Sequence, residues 1–455
     1  MKISARLSVL ATVAATGLIP ATAVTAAASA VRAPAHAVAA TSGTKLWEAR
    51  YAASGRGAIS LASAVSPDGS ALFLTGGARR AAHRGDAGAT LAYNPATGAK
   101  LWQANYNPGG LSNSQFEAIA VSPDSSTVFV AGATQPEGDG PSSVVVAAYD
   151  AATGAARWTD TTAIAGEGTS IAVSPDGSAV YVTAGADTVA YNAATGAPRW
   201  TQALAAQAFT ANVAVSPDGS MVFVRGIIRA TSYVVAAYDA ATGAAAWTTT
   251  LVRVGAQSLA VSPDGSKMFV TGFAGGSPGT SSVFARTAAL DAATGTALWV
   301  KTSKSPNGGS FGNAVTVSPD SSTVFVTGST TLVSKREVAA TWAFDAATGA
   351  TRWLKVLTGI GAANVVTVSP DGSKVFAAGD ASGFSGAAAF STVAYDAATG
   401  AQLWLLGSFH RGAPWDSFAT SVEVSPDGSE VFTTGDVNTP EPGIIPTMAA
   451  VAYSS

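Results

Sequence analysis

The segment VSPDGSALFLTG at Val65 returns along the chain as VSPDSSTVFVAG, VSPDGSAVYVTA, VSPDGSMVFVRG, VSPDGSKMFVTG, VSPDSSTVFVTG, VSPDGSKVFAAG and VSPDGSEVFTTG. Its prolines, Pro67, Pro123, Pro175, Pro217, Pro263, Pro319, Pro370 and Pro426, are spaced by 56, 52, 42, 46, 56, 51 and 56 residues. A period of that size belongs to a solenoid or a propeller. A second segment, YDAATGAARW (Tyr149–Trp158), keeps step with it as YNAATGAPRW, YDAATGAAAW, LDAATGTALW, FDAATGATRW and YDAATGAQLW.

The shortest period shows what each repeat folds into. TSIAVSP alternates as a strand, DGS is a turn, AVYVTA and DTVAYN are two more strands, AATG is a second turn and APRWTQA a fourth strand. Proline presets the backbone of the first turn, and Asp and Gly supply its side-chain hydrogen bond and positive φ. Four short antiparallel strands per repeat follow, with no helical apolar rhythm between them. Such a sheet cannot bury both faces alone, so eight must stack in a line or close into a ring. The ends decide for the ring: MAAVAYSS (Met448–Ser455) is a third strand stopped where AATG is due, and ATSGTKLWEARY (Ala40–Tyr51) is a turn and fourth strand without the first three. The expected fold is all-β, an eight-bladed β-propeller of four-stranded antiparallel blades over residues 40–455, its last blade built from both chain segments.

The YDAATGxxxW segments resemble the tryptophan-docking repeat of pyrroloquinoline quinone (PQQ) type propellers, and SPDGSxVFVTG is similar to the YVTN-type repeat of bacterial secreted proteins. The resemblance covers residues 40–455 and implies the propeller fold. Its motifs are structural in those families, and the architecture hosts unrelated activities.

Ahead of the repeats, Lys2 and Arg6 precede an apolar run from Leu7 to Ile19. Residues 1–37 therefore read as a secretory signal peptide and small-residue leader, with cleavage options after Ala28, Ala30 or Ala37. The run is short for a bilayer span, so no membrane insertion is expected after cleavage and the chain is expected outside the cell. Removing Lys2, Arg6 and Arg32 leaves 22 of 25 basic residues against 28 acids, a net charge of −6. No nucleic-acid partner is expected for that surface, since such binding needs clustered Lys and Arg. The chain has no cysteine, which excludes disulfides, thiolate metal sites and a lipid anchor on Cys.

Most of the repeated residues carry structure. Trp47, Trp102, Trp158, Trp200, Trp247, Trp299, Trp353 and Trp404 recur at the blade period, so each is expected to wedge between its own blade and the next instead of stacking on sugars. Aspartates such as Asp68, Asp124, Asp150, Asp176 and Asp239 are spread one or two per blade, which suits turn capping and not calcium. Both turns fall on one face of the ring. The unequal connections, such as GGARRAAHRGDAGA from Gly76 and GSFHRGAPWDSFAT from Gly407, fall on the other, where binding is expected.

Site candidates come from that irregular face and from the channel mouth. One loop gathers His410, Arg411, Trp415 and Asp416; His83 and His410 fall in neighbouring blades, a thin case for metal. Five positions before each motif serine stand Leu61, Glu117, Thr169, Ala211, Gln257, Asn313, Asn364 and Thr420, mostly polar. Two positions before it the residue is Ala or Thr, except for Glu423, an acid that needs a partner or water. The sequence shows no Ser-His-Asp order, thiol, paired catalytic carboxylates or metal-ligand cluster. It reads as a secreted, non-catalytic binding or scaffold propeller for an extracellular protein or cell-envelope component, with no cofactor. The alternatives implied by the resemblance are a PQQ-dependent quinoprotein dehydrogenase, with quinone and calcium near Glu117, Asn313, Asn364 and Glu423, or a propeller lyase or lactonase using His410 as base. The vicinal cysteines and catalytic aspartate of the quinoproteins have no counterpart in this sequence.

Overall fold

The computed structural model describes residues 42–53, 57–79, 86–109, 112–135, 142–166, 168–204, 209–229, 232–252, 255–275, 283–305, 309–332, 334, 336–358, 360–380, 390–407, 417–438 and 446–455. They form thirty-two strands, from β1 (Lys45–Tyr51) to β32 (Pro446–Ser454), in eight four-stranded antiparallel sheets. Blade 1 runs from β2 (Ala58–Val65) to β5 (Lys100–Tyr106), and six further blades follow in chain order. Blade 8 is β30 (Phe418–Val424), β31 (Glu430–Asn438), β32 and β1, with β1 on its outer edge. The eight-bladed ring closed by strands from both chain segments is thus present as read from the sequence. In each blade the strand that leads into SPD is innermost, and these first strands touch one another around the whole ring, β30 returning to β2.

Position in the blade explains the apolar patterns. Second and third strands have a blade on either side, so they read as continuous apolar runs, as in TVFVAGATQ and SVVVAAYD, and are buried on both faces. Outer strands such as PRWTQA and ALWVKTS have only one face to bury and alternate accordingly.

The two repeated segments lock the blades together. Trp158 of blade 2 lies between Phe129 of its own sheet, 6.0 Å away between ring centroids, and Tyr191 of blade 3, 6.2 Å away, and its indole N–H donates to the Ala193 carbonyl at 2.9 Å. The AATG glycine of blade 3, Gly196, has φ +73° and passes so close that a Cβ on it would meet the indole at 2.6 Å. The same glycine-under-indole pairing recurs at all eight joints, from Gly98 on Trp47 to Gly43 on Trp404. The aspartates cap turns, as expected: Asp150 accepts from the Thr153 amide at 3.0 Å and from Arg157 at 2.9 Å, and these bonds, Arg157 first, pull its carboxyl down to about 2.

At the closing blade the AATG turn is divided between two chain segments. Gly43 N–H donates to Ser454 O at 2.9 Å and Ser454 N–H to Thr44 O at 2.9 Å, reproducing the Gly400 to Asp396 and Asp396 to Ala401 bonds of blade 7. One bond is not reproduced. The other seven indoles of the set donate to Pro95, Ala151, Ala193, Ala240, Ala292, Ala346 and Ala397 carbonyls, whereas the buried N–H of Trp404 has no acceptor among the described residues. Replacing Trp102 by Phe removes a 2.8 Å hydrogen bond along with ring area, while Trp404→Phe removes ring area alone. Urea denaturation should therefore show Trp102→Phe to be the more destabilising by about 1 kcal/mol; equal losses would mean that the indole bond is energetically silent.

Candidate functional site

The eight positions that stand five before the motif serine, a mostly polar column, share a structural feature that explains their composition. In every innermost strand the register with the second strand shifts there: between Ser60 and Ala62, Phe116 and Ala118, Gly168 and Ser170, Thr210 and Asn212, Ala256 and Ser258, Gly312 and Ala314, Ala363 and Val365, and Ala419 and Ser421. Leu61, Glu117, Thr169, Ala211, Gln257, Asn313, Asn364 and Thr420 are the unpaired residues of eight β-bulges. A bulge leaves one residue outside the ladder and re-aims its side chain, so a polar group is tolerated there. The bulge also explains the last glycine of SPDGSxVFVTG. It pushes the inner strand's backbone against the second strand, so that a Cβ on Gly132 would meet the Gln115 carbonyl oxygen at 2.0 Å, and Gly76, Gly328, Gly379 and Gly435 are equally confined.

The structure brings some of the candidates together and keeps others apart. Asn313 of blade 6 donates to the Ala363 carbonyl at 3.2 Å and to Asn364 Oδ1 at 3.3 Å, and Asn364 of blade 7 donates to Asp380 Oδ1 at 2.7 Å. This relay spans two blades and ends on Asp380. Glu117 in blade 2 accepts from Gln115 of its own strand at 2.9 Å. Gln257 in blade 5 takes part through its backbone carbonyl, which accepts at 3.2 Å from Arg225 of blade 4. Glu423 in blade 8 accepts at 2.8 Å from Ser421, a partner of the kind such an acid requires. Glu423 is half-buried in surface terms, yet it is crowded on an innermost strand, and that burial pushes its carboxyl up to about 8. His410, Arg411, Trp415, Asp416 and His83 lie outside the described residues.

Three functional-looking groups escaped the sequence reading. Asp380 and Asp436 follow the motif glycine in blades 7 and 8, where the other blades carry Gly, Ala, Ile, Phe or Ser. Asp436 Oδ1 accepts from the Ser60 amide of blade 1 at 2.6 Å, and burial raises its carboxyl to about 7. Arg225 replaces the usual Thr or Ala before that glycine; it is fully buried, its Nε donates to Asn212 at 2.6 Å, and desolvation lowers it to about 10. Aligning the eight copies column by column would have flagged all three as departures from the repeat.

Among the described residues the quinone and calcium candidates are not gathered on one point. Calcium needs several oxygens on one point, but the carboxylates and amides fall into separate groups in blades 2, 6 and 7, and 8. Among the described residues no group of three or more His, Asp or Glu is placed to hold a metal, nor is any helix long and apolar enough to cross a membrane.

A family model described as outer membrane protein assembly factor BamB matches residues 142–383, more than half of the 455-residue chain. The chain belongs to this family of PQQ-like repeat propellers. Among solved structures it is similar to BamB from Moraxella catarrhalis, at 17% identity over 90% of this chain and 97% of that one, with a TM-score of 0.50. It is also similar to the C-terminal WD40 domain of Sif2 (11% identity, 91% and 98% covered, TM-score 0.59) and to hydrazine synthase of Kuenenia stuttgartiensis (15%, 70% and 91%, 0.51). At such identities these likenesses establish the fold alone, and the three proteins carry unrelated names. No curated protein matches the chain closely enough to count as a relative.

The bulge geometry makes a sharp stability contrast. Gly132→Ala drives a Cβ into a carbonyl oxygen and should cost about 1–3 kcal/mol. In Gly77→Ala the nearest atom is the Ile59 side chain at 3.4 Å, and the change should stay within about 0.5 kcal/mol. Denaturant midpoints of the two variants check this.

Proposed function

We propose that this chain is a non-catalytic propeller of the bacterial cell envelope, exported by its leader over residues 1–37, that docks an envelope protein or assembly partner on its irregular face and channel mouth. The observation that carries the reading is the division of labour between the two faces. On the turn face the repeated Asp, Ser, Thr and Gly are engaged in turns, as in the Asp176 cap on the Ser178 amide and the Asp345 bonds to Thr348 and Arg352. Unrepeated chemistry is left for the other side: the Asn313, Asn364 and Asp380 relay, Glu117, and the unequal loops. Membership of a family described as an outer membrane protein assembly factor supports an envelope-associated role over release into the medium. His410, Arg411, Trp415 and Asp416 belong to the proposed docking face by their place in the chain.

The test is capture from envelope extracts on the immobilised chain, followed by titration of the identified partner against purified variants. We expect retention of an envelope protein whose affinity falls about tenfold or more in an Asp380→Lys, Glu117→Lys variant and is unchanged in Arg157→Ala on the turn face. The opposite dependence, or retention of no envelope component, would overturn the proposal. A tightly held quinone must stabilise the native state, so a rise of several degrees in Tm with added PQQ and calcium would favour the dehydrogenase reading instead; we expect no shift.

A further inference from the structure

Among the described residues, the joint between blade 8 and blade 1 holds two carboxyl groups, those of Glu423 and Asp436, between the blades. Cross-strand partners share a face of a sheet, and alternate residues along a strand return to it. Thr434 donates to Ser63 Oγ of blade 1 at 3.1 Å, Asp436 accepts from the Ser60 amide of blade 1 at 2.6 Å, and Phe432 packs with Leu72, Leu74 and Leu91 of blade 1. The face that holds Phe432, Thr434 and Asp436 is therefore the one that meets blade 1. Glu423 pairs with Phe432 and Ser421 with Thr434, which places Glu423 on the same face; Glu430, two residues before Phe432, stands at its lower end. At the position of Glu423 the other blades have Ala64, Ala120, Ala172, Ala214, Ala260, Thr316 and Thr367. Asp380, the counterpart of Asp436, is bonded within its own blade by Asn364.

Among the described residues, no basic side chain is paired with Glu423 or Asp436. β2 contains no ionisable residue, and the facing residues of β32, Met448, Ala450 and Ala452, are apolar. On β1, Lys45 and Arg50 are engaged with Glu48. Tyr453 of β32 lies on the opposite face, packed with Trp404 of blade 7. Arg79, at the far end of the second strand of blade 1, stands opposite Asp86 in the ladder. The hydroxyl of Ser60, fully buried beside Asp436, has no hydrogen-bond partner among the described residues. Blade 8 is tied to blade 1 in the chain through β1, which runs on into β2, while β30, β31 and β32 are held to β1 by the β1–β32 ladder and to blade 1 by packing and the two hydrogen bonds above.

We propose that the blade 8 to blade 1 joint is a proton-controlled latch, seated on blade 1 while Glu423 and Asp436 are protonated and loosened when both are ionised between the blades. Burial raises both carboxyls, Asp436 to about 7 and Glu423 to about 8, and raises Glu430 as well, with Asp427 adding to it. The unfolded or opened carboxyl ionises near its ordinary value of about 4. The opened form thus gives up protons first as pH rises. The latch is tightest below about pH 4, weakens between there and about pH 8, and is insensitive above that.

Hydrogen exchange read by mass spectrometry on the full chain, corrected for intrinsic rates, tests this between pH 5.5 and 8.5. Peptides covering β2, β30 and β31 should lose protection at least tenfold as pH rises, while the middle blades keep theirs. Glu423→Gln with Asp436→Asn should abolish that loss, each single change removing part of it, and Glu430→Gln should leave most of it. Loss spread evenly around the ring, or an unchanged loss in the double variant, would overturn the proposal. If the double variant fails to fold, the wild-type pattern and the single variants decide between the same two outcomes.

Discussion

The ring depends on one repeated joint, in which the indole of each outer strand lies over the AATG glycine of the following blade. Within YDAATGxxxW the glycine belongs to the joint with the preceding blade and the tryptophan to the joint with the next. The segment is the two halves of one fastener carried on a single hairpin. Burying an aromatic ring of roughly 150–250 Å² at each joint, with the indole N–H satisfied, stabilises neighbouring blades that could not bury their faces alone. Neither half can vary freely: a side chain on the glycine needs both a left-handed backbone and space that the indole occupies.

Closing a ring made this way forces a compromise at one blade. The hairpin of blade 8 is assembled from two chain segments, and the backbone bonds across the divided turn are kept, but the indole of Trp404 has no acceptor among the described residues, unlike its seven counterparts. A buried, unsatisfied donor costs about 1–3 kcal/mol. The ladder of β1 on β32, from the Lys45–Tyr453 pair to the Tyr51–Met448 pair, takes over the role the covalent turn has in the other blades. Closure is thus carried by strand pairing and side-chain packing, and both unusual joints of the molecule flank blade 8.

The fold was legible because its determinants are local and repeated eight times. Turn chemistry, the apolar period and the two incomplete repeats at either end required no knowledge of long-range contacts. The bulges were visible only as a polar column, since a one-residue shift of register leaves no signature of its own in a strand. Asn313 and Asn364 were read as separate candidates; that they join depends on the spacing of neighbouring blades. Asp380 and Asp436 were passed over because an acid after glycine looks like the start of a loop, whereas both strands continue to that residue or beyond.

The bulge makes the scaffold compatible with a variable site. By placing one residue per innermost strand outside the ladder, it frees that residue from pairing with the second strand, while the facing glycine absorbs the backbone displacement. Leu61, Glu117, Thr169, Ala211, Gln257, Asn313, Asn364 and Thr420 can therefore differ in size and charge without altering the blade, as they do here. Residues three positions closer to the turn lack that freedom, because they are pressed between adjacent innermost strands and are small in seven blades. Glu423 breaks this rule where blade 8 meets blade 1. An acid confined there must hold its proton or push on the joint, so the same packing that fixes the ring makes that position sensitive to pH.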